Sequence, residues 1–175
     1  MRRRTLEITT RTSTTSSASA EDVYDVISDL GAHLVWSGER ASDQTFKLLS
    51  LRAQRGPASV GTTFTSTGAN FNGTFHDSSV VTGATRPSVF VIETDARLER
   101  RRGKTWEVRF THRYDIEALD DGSRIVYTET IHGANYVPYW LKPWARPVFT
   151  PLVNRADKKQ LDNLAKLAEE RSSSP

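Results

Sequence analysis

The chain has 175 residues and no cysteine, long enough for one domain that buries about 70% of its unfolded surface and without thiol catalysis, cysteine-ligated zinc or disulfides. Lys and Arg (24) nearly balance Asp and Glu (21), and a formal charge of +3 is too mild to signal nucleic acid, so none is expected as a partner. No apolar run reaches the roughly 18 residues a membrane span requires, and the Thr- and Ser-rich text after Met1-Arg2-Arg3-Arg4 and Leu6 supplies no signal-peptide core, so a cytoplasmic location is expected.

Thr5 to Ser16 alternates weakly and is rich in threonine, which predicts a first strand. Ser19-Ala20-Glu21-Asp22 has capping-box spacing, and Val23, Val26, Ile27 and Leu30 form the stripe of a short helix ending near Gly31. Ala32 to Trp36 predicts a second helical turn, broken by Ser37-Gly38. Strands are then predicted over Thr45 to Gln54, Val60 to Thr67, Thr74 to Thr82, Val89 to Leu98, Lys104 to Ala118 and Ser123 to His132, separated by Gly- and Pro-containing turns. The fifth of these alternates most clearly: Trp106, Val108, Phe110, His112, Tyr114 and Ile116 share one face and charged residues take most of the other.

A long helix is predicted from Thr150, a suitable N-cap, with Pro151 at its first position, to Arg171. Val153, Ala156, Leu161, Leu164, Leu167 and Ala168 mark its apolar side, while Arg155, Asp157, Lys158, Lys159 and Asp162 are assigned to the opposite side. Pro143, Pro147 and Pro151 are four apart and oppose a continuous helix before Pro151. The order is strand, two short helices, six strands and a long helix, an α+β pattern without the regular alternation of a doubly wound sheet. Residues 1–171 are expected to form one domain, with 172–175 as a disordered tail.

This order, together with Ala18 to Val26 leading to Asp29 and Trp36, the turn from Gly56 to Gly61-Thr62, the Asp121-Gly122-Ser123-Arg124 hairpin and the closing Leu161, Leu164, Ala168, Glu169 pattern, resembles the START-like (SRPBCC) superfamily, especially its polyketide cyclase/dehydrase branch. The resemblance implies a helix-grip fold, with a seven-stranded antiparallel sheet curved around the C-terminal helix and a hydrophobic pocket between them. It also implies a lipid, polyketide or other apolar ligand and, in some members only, an enzyme; no catalytic motif is shared by all. Residues expected to line such a pocket are Trp36, Phe64, Phe90, Trp106, Phe110, His112, Tyr114, Tyr127 and Trp140.

His112, Tyr114 and Glu129 are the candidate acid/base groups, with core packing as the alternative role for His112 and Tyr114. An Asp121-Gly122 two-residue turn sets Tyr114 opposite Glu129, Ile116 opposite Tyr127 and His112 opposite Ile131; a three-residue turn shifts the register by one and presents Val126, Thr128 and Thr130. Both registers stand as alternatives. His33 and His76 are expected at the surface or an edge, the four histidines show no metal-ligand spacing, and neither a metal nor a cofactor is expected. Arg97, Arg100, Arg101, Arg102 and Lys104 are expected to form a solvated hairpin tip. Asn135 to Phe149 mixes aromatics with Lys142 and Arg146, suiting a lid over the pocket or a membrane-surface contact through Tyr139, Trp140 and Trp144.

Overall fold

The computed structural model describes residues 7–41, 46–70, 73–100, 103, 105–132 and 142–174, with backbone alone for 142–150 and 152. Seven strands form one antiparallel sheet: β1 Ile8–Ser16, β2 Phe46–Arg52, β3 Thr63–Asn70, β4 Gly73–Thr85, β5 Val89–Arg100, β6 Thr105–Leu119 and β7 Gly122–His132. They lie in the order β1-β7-β6-β5-β4-β3-β2. Helix α1 (Ala20–Ser28), a 3₁₀ turn (Leu30–Ala32) and a π-helical turn (Val35–Glu39) separate β1 from β2, and α2 (Lys142–Ser172) closes the chain. This is the α+β helix-grip architecture expected from the sequence, with the sheet curved about α2.

Local chemistry explains the elements. Ser19 holds φ −63° and ψ 161° and accepts the Asp22 N–H at 3.1 Å, the N-cap geometry that starts α1. Val23, Val26 and Ile27 on its inner stripe are fully or almost fully buried against the C-terminal half of α2, where Leu161, Leu164, Ala165, Leu167 and Ala168 complete the core with Phe90 and Ile125. Polar ties fix the helix along β1 and the short-helix segment. Thr14 donates to Asp162 at 2.6 Å, Ser16 to Glu169 at 3.0 Å and Ser37 to Gln160 at 3.1 Å, while Asn163 donates to the Trp36 and Arg40 carbonyls.

Three expectations are corrected. α2 begins at Lys142, not Thr150, and passes through Pro143, Pro147 and Pro151. Four-residue spacing places the missing N–H groups along one stripe, so the other rows of backbone hydrogen bonds run on uninterrupted. α2 also extends through Ser172, and Ser173 N–H still bonds the Glu169 carbonyl at 3.1 Å. The β6–β7 turn is Asp120-Asp121: Leu119 pairs with Gly122, Tyr114 with Tyr127 and His112 with Glu129. This ladder is displaced by two residues from the Asp121-Gly122 register, so Ile125, Tyr127, Glu129 and Ile131 keep the inner face and only their partners change.

Gly122 enters the strand because nothing larger fits there. Its φ is +136°, and a Cβ would stand 2.1 Å from the Ser16 carbonyl oxygen where the end of β1 meets the hairpin. Gly122→Ala is therefore expected to lower the free energy of unfolding by about 2 kcal/mol or more, read from the denaturant midpoint. Leu164→Ala, which empties a fully buried site, is expected to cost about 2–5 kcal/mol in the same measurement.

Candidate functional site

The apolar stripe of α2 does two jobs along its length. Leu161, Leu164 and Ala168 pack solidly, whereas Val153, Ala156, Asp157 and Gln160 stand over a cavity of about 270 Å³ between the helix and the sheet. Its sheet wall is built by alternation: Phe110, His112 and Tyr114 from β6, and Tyr127, Glu129 and Ile131 from β7, all point inward. Phe64, Phe75 and Ile92 extend the apolar wall across β3, β4 and β5, and Trp36 enters from the π-helical turn.

A polar cluster occupies one part of this wall. The Tyr127 hydroxyl is 2.7 Å from His112 Nδ1 and is also hydrogen-bonded to Glu129, whose Oε1 is 3.6 Å from the same nitrogen. The rings stack in a row, Phe110 on His112 with 5.7 Å between centroids and His112 on Tyr127 with 6.2 Å, and Tyr114 lies 4.9 Å from Tyr127. Side-chain exposures of 23% for His112 and 13% for Glu129 are exposure to the cavity that they line. Asp157 projects into the cavity from α2 and accepts from the Thr10 hydroxyl at 3.3 Å.

Burial sets the proton affinities. It raises the Glu129 carboxyl well above the ordinary range, and the Asp157 charge raises it further, against the hydrogen bond from Tyr127. Burial likewise raises Asp157, and the two carboxyls titrate as a pair. Burial and the neighbouring His33 push the His112 imidazole down to about 4, so it is neutral, while both tyrosines are held protonated, chiefly by burial.

A second polar group lies three strands away. Asp77 on β4 accepts from Ser66 at 3.3 Å and is raised to about 6 by burial, and Ser79 and Thr94 bond each other at 2.9 Å. The Asp77 Oδ1 atom is buried without a hydrogen-bond partner, as is Nε1 of Trp36, a residue 3% exposed. Buried polar atoms in proteins are normally satisfied; these two lie within the wall and present almost no surface to the cavity itself.

Of the residues expected to line a pocket, the structure brings Trp36, Phe64, Phe110, His112, Tyr114 and Tyr127 together with Glu129 on one cavity. Phe90 instead lies fully buried in the core, edge-on to Tyr24 with centroids 5.9 Å apart, in the cluster where the sheet packs on α1. Trp106 is outside the described lining and carries the Arg100 guanidinium 4.2 Å above its ring. Tyr139 and Trp140 lie outside the described residues, as do the side chain of Trp144 and residues 101, 102 and 104 of the basic tip. Arg97 is solvent-exposed beside Glu99.

The expectation for His33 fails. It is buried in the cavity wall and its Nε2–H donates to the Ile27 carbonyl at 2.7 Å, because the helical turn that carries Trp36 inward carries His33 with it. His76 is about half exposed. Asp157 also departs from its expected place on the solvent side of α2: it follows Val153 by four residues and precedes Leu161 by four, which sets it within the apolar stripe. Asp77 and Ser79 had a weaker signal: β4 is a central strand with no wholly apolar face. Among the described residues, no group of three or more His, Asp or Glu side chains is placed to hold a metal ion, and no helix is long and apolar enough to cross a membrane.

The family model described as polyketide cyclase/dehydrase and lipid transport matches residues 7–169. No curated protein matches the chain. Among solved structures, an uncharacterised protein from Rhizobium leguminosarum is similar with a TM-score of 0.66 at 18% identity, covering 98% of this chain and 99% of that one. Ara h 8.0201 is similar with a TM-score of 0.62 at 15% identity, over 94% and 99% of the two chains. A protein from Thermus thermophilus, TTHA0849, gives a TM-score of 0.61 at 15% identity, over 95% and 99%. At these identities the structural likeness shows the shared fold alone, and it is the sequence match over nearly the whole length that makes this protein a member of the polyketide cyclase/dehydrase and lipid transport family.

Proposed function

We propose that this protein binds an apolar small molecule, lipid-like or polyketide-like, in the cavity under the N-terminal half of α2. The observation that carries the reading is the cavity of about 270 Å³ whose wall is mostly aromatic and aliphatic yet carries Glu129, His112 and Asp157. Apolar walls supply affinity, at about 0.8 kcal/mol per buried methylene, and a few polar tips orient the guest.

A second reading, acid/base catalysis on the bound molecule, is favoured by the Glu129–Tyr127–His112 chain. With Glu129 ionised, Tyr127 donates to it and His112 Nδ1–H donates to Tyr127. With Glu129 protonated, each bond reverses and the Nδ1 lone pair accepts from Tyr127. A proton entering at one end thus leaves at the other while Tyr127 stays neutral, the behaviour required of an acid or base that exchanges protons within an apolar pocket.

Three outcomes follow. N-phenyl-1-naphthylamine, a neutral fluorophore, is expected to brighten on binding the protein, and Ala156→Trp, which fills the cavity from α2, is expected to abolish that signal with secondary structure retained by circular dichroism; no brightening with the unmodified protein would sink the binding reading. Native mass spectrometry of the protein from its own host is expected to show a co-purifying apolar ligand. Glu129 is also expected to weaken the fold at high pH. Its carboxyl is raised in the folded state, so its contribution is full below the unfolded value of 4.5 and is lost as pH rises through the raised folded value. Glu129→Gln is accordingly expected to gain on the order of 1–2 kcal/mol over the unmodified protein at about pH 9, with the gain shrinking toward acid pH, read from denaturant midpoints.

A further inference from the structure

Resting on the binding reading, the charge of the cavity narrows the guest further. Among the described lining residues are three carboxyl side chains, Glu129, Asp157 and Asp77, and no lysine or arginine. Glu129 and Asp157 come from different elements, β7 and α2, but meet at Thr10, which pairs with Glu129 across the β1–β7 ladder and donates to Asp157 at 3.3 Å, and their charges repel each other across the space they share. Their other neighbours among the described residues are the neutral groups Thr10, His112, Tyr114 and Tyr127, with His33 held neutral by burial at the same wall. Among the described residues no cation lines the cavity to offset them, and the acidic groups are not arranged around a metal position. Asp77 Oδ1 and Trp36 Nε1 are buried without partners within the same wall, with almost no surface open to the cavity.

We infer that the guest is an apolar molecule bearing a protonated amine, held between Glu129 and Asp157. An ammonium group replaces the repulsion between the two carboxylates with two attractions and removes the need for either to hold a proton. A carboxylate or phosphate guest brings a further like charge into the same low-dielectric space. An amine therefore binds with release of protons, and its affinity rises as the carboxyls ionise; an acid binds poorly until protonated.

The test uses octylamine, octanol and octanoate on the intact protein at about pH 7.5, by calorimetry in two buffers of different ionisation enthalpy and by displacement of N-phenyl-1-naphthylamine. Octylamine is expected to bind at least about tenfold more tightly than octanoate and more tightly than octanol, with proton release seen as a buffer-dependent enthalpy. In the double variant Glu129→Gln, Asp157→Asn, the amine-to-acid ratio is expected to collapse to within about threefold. Octanoate equal to or tighter than octylamine, or octanol equal to octylamine, would overturn the charge assignment while leaving the binding reading intact. Failure of all three, and of the fluorophore, would overturn the binding reading and this inference with it.

Discussion

The grip of α2 on the sheet is the constraint on which everything else depends. Leu161, Leu164 and Ala168 seat the C-terminal half of the helix against α1 and the inner face of the sheet, and Arg171 to Asp29 at 3.0 Å and Arg40 to Glu170 at 2.6 Å tie its end to the short-helix segment. These two pairs are solvent-exposed and contribute little by themselves; the buried leucines dominate. With one end anchored, the other half of the helix is held over the curved sheet whether or not its own side chains fill the gap. Val153 and Ala156 are too small to do so, and Asp157 and Gln160 are polar. Over the cavity α2 thus presents small and polar side chains where its C-terminal half presents leucines.

The polar tips inside that cavity oppose stability. Burial favours the uncharged form of every titratable group there, raising Glu129, Asp157 and Asp77 and lowering His112 and His33. A core selected for stability alone would hold apolar residues at these positions. Groups with displaced proton affinities on a concave surface fit a role in binding or proton exchange, and the proposed ligand chemistry follows from which charges are present and which are missing.

Much of the fold was legible in the sequence because its signals are local. Two-residue alternation in β6, the Ser19 cap, the glycine-marked turns and the order of elements follow from side-chain direction and backbone freedom, which neighbouring residues determine. The inward placement of His112 and Tyr114 was readable for the same reason, whereas Tyr127 and Glu129 point inward in only one of the two registers open to the sequence; the observed ladder, displaced from that one by two residues, keeps them on the inner face. The start of α2 was not readable, because proline rules apply residue by residue and miss the tolerance that arises when three prolines share one stripe.

Sequence alone therefore determined the order of strands and helices, the inner face of β6, and the absence of thiol chemistry. Tertiary structure alone decided that Phe90 fills core while Phe64 lines space, that His33 is buried, that Asp157 meets Glu129 across the cavity, and that Asp77 Oδ1 and Trp36 Nε1 lack partners. The physical reason is range: periodicity encodes which way a side chain points, but whether it then meets a neighbour, a charge or empty space depends on elements far along the chain, brought near only when the sheet curves and the helix docks.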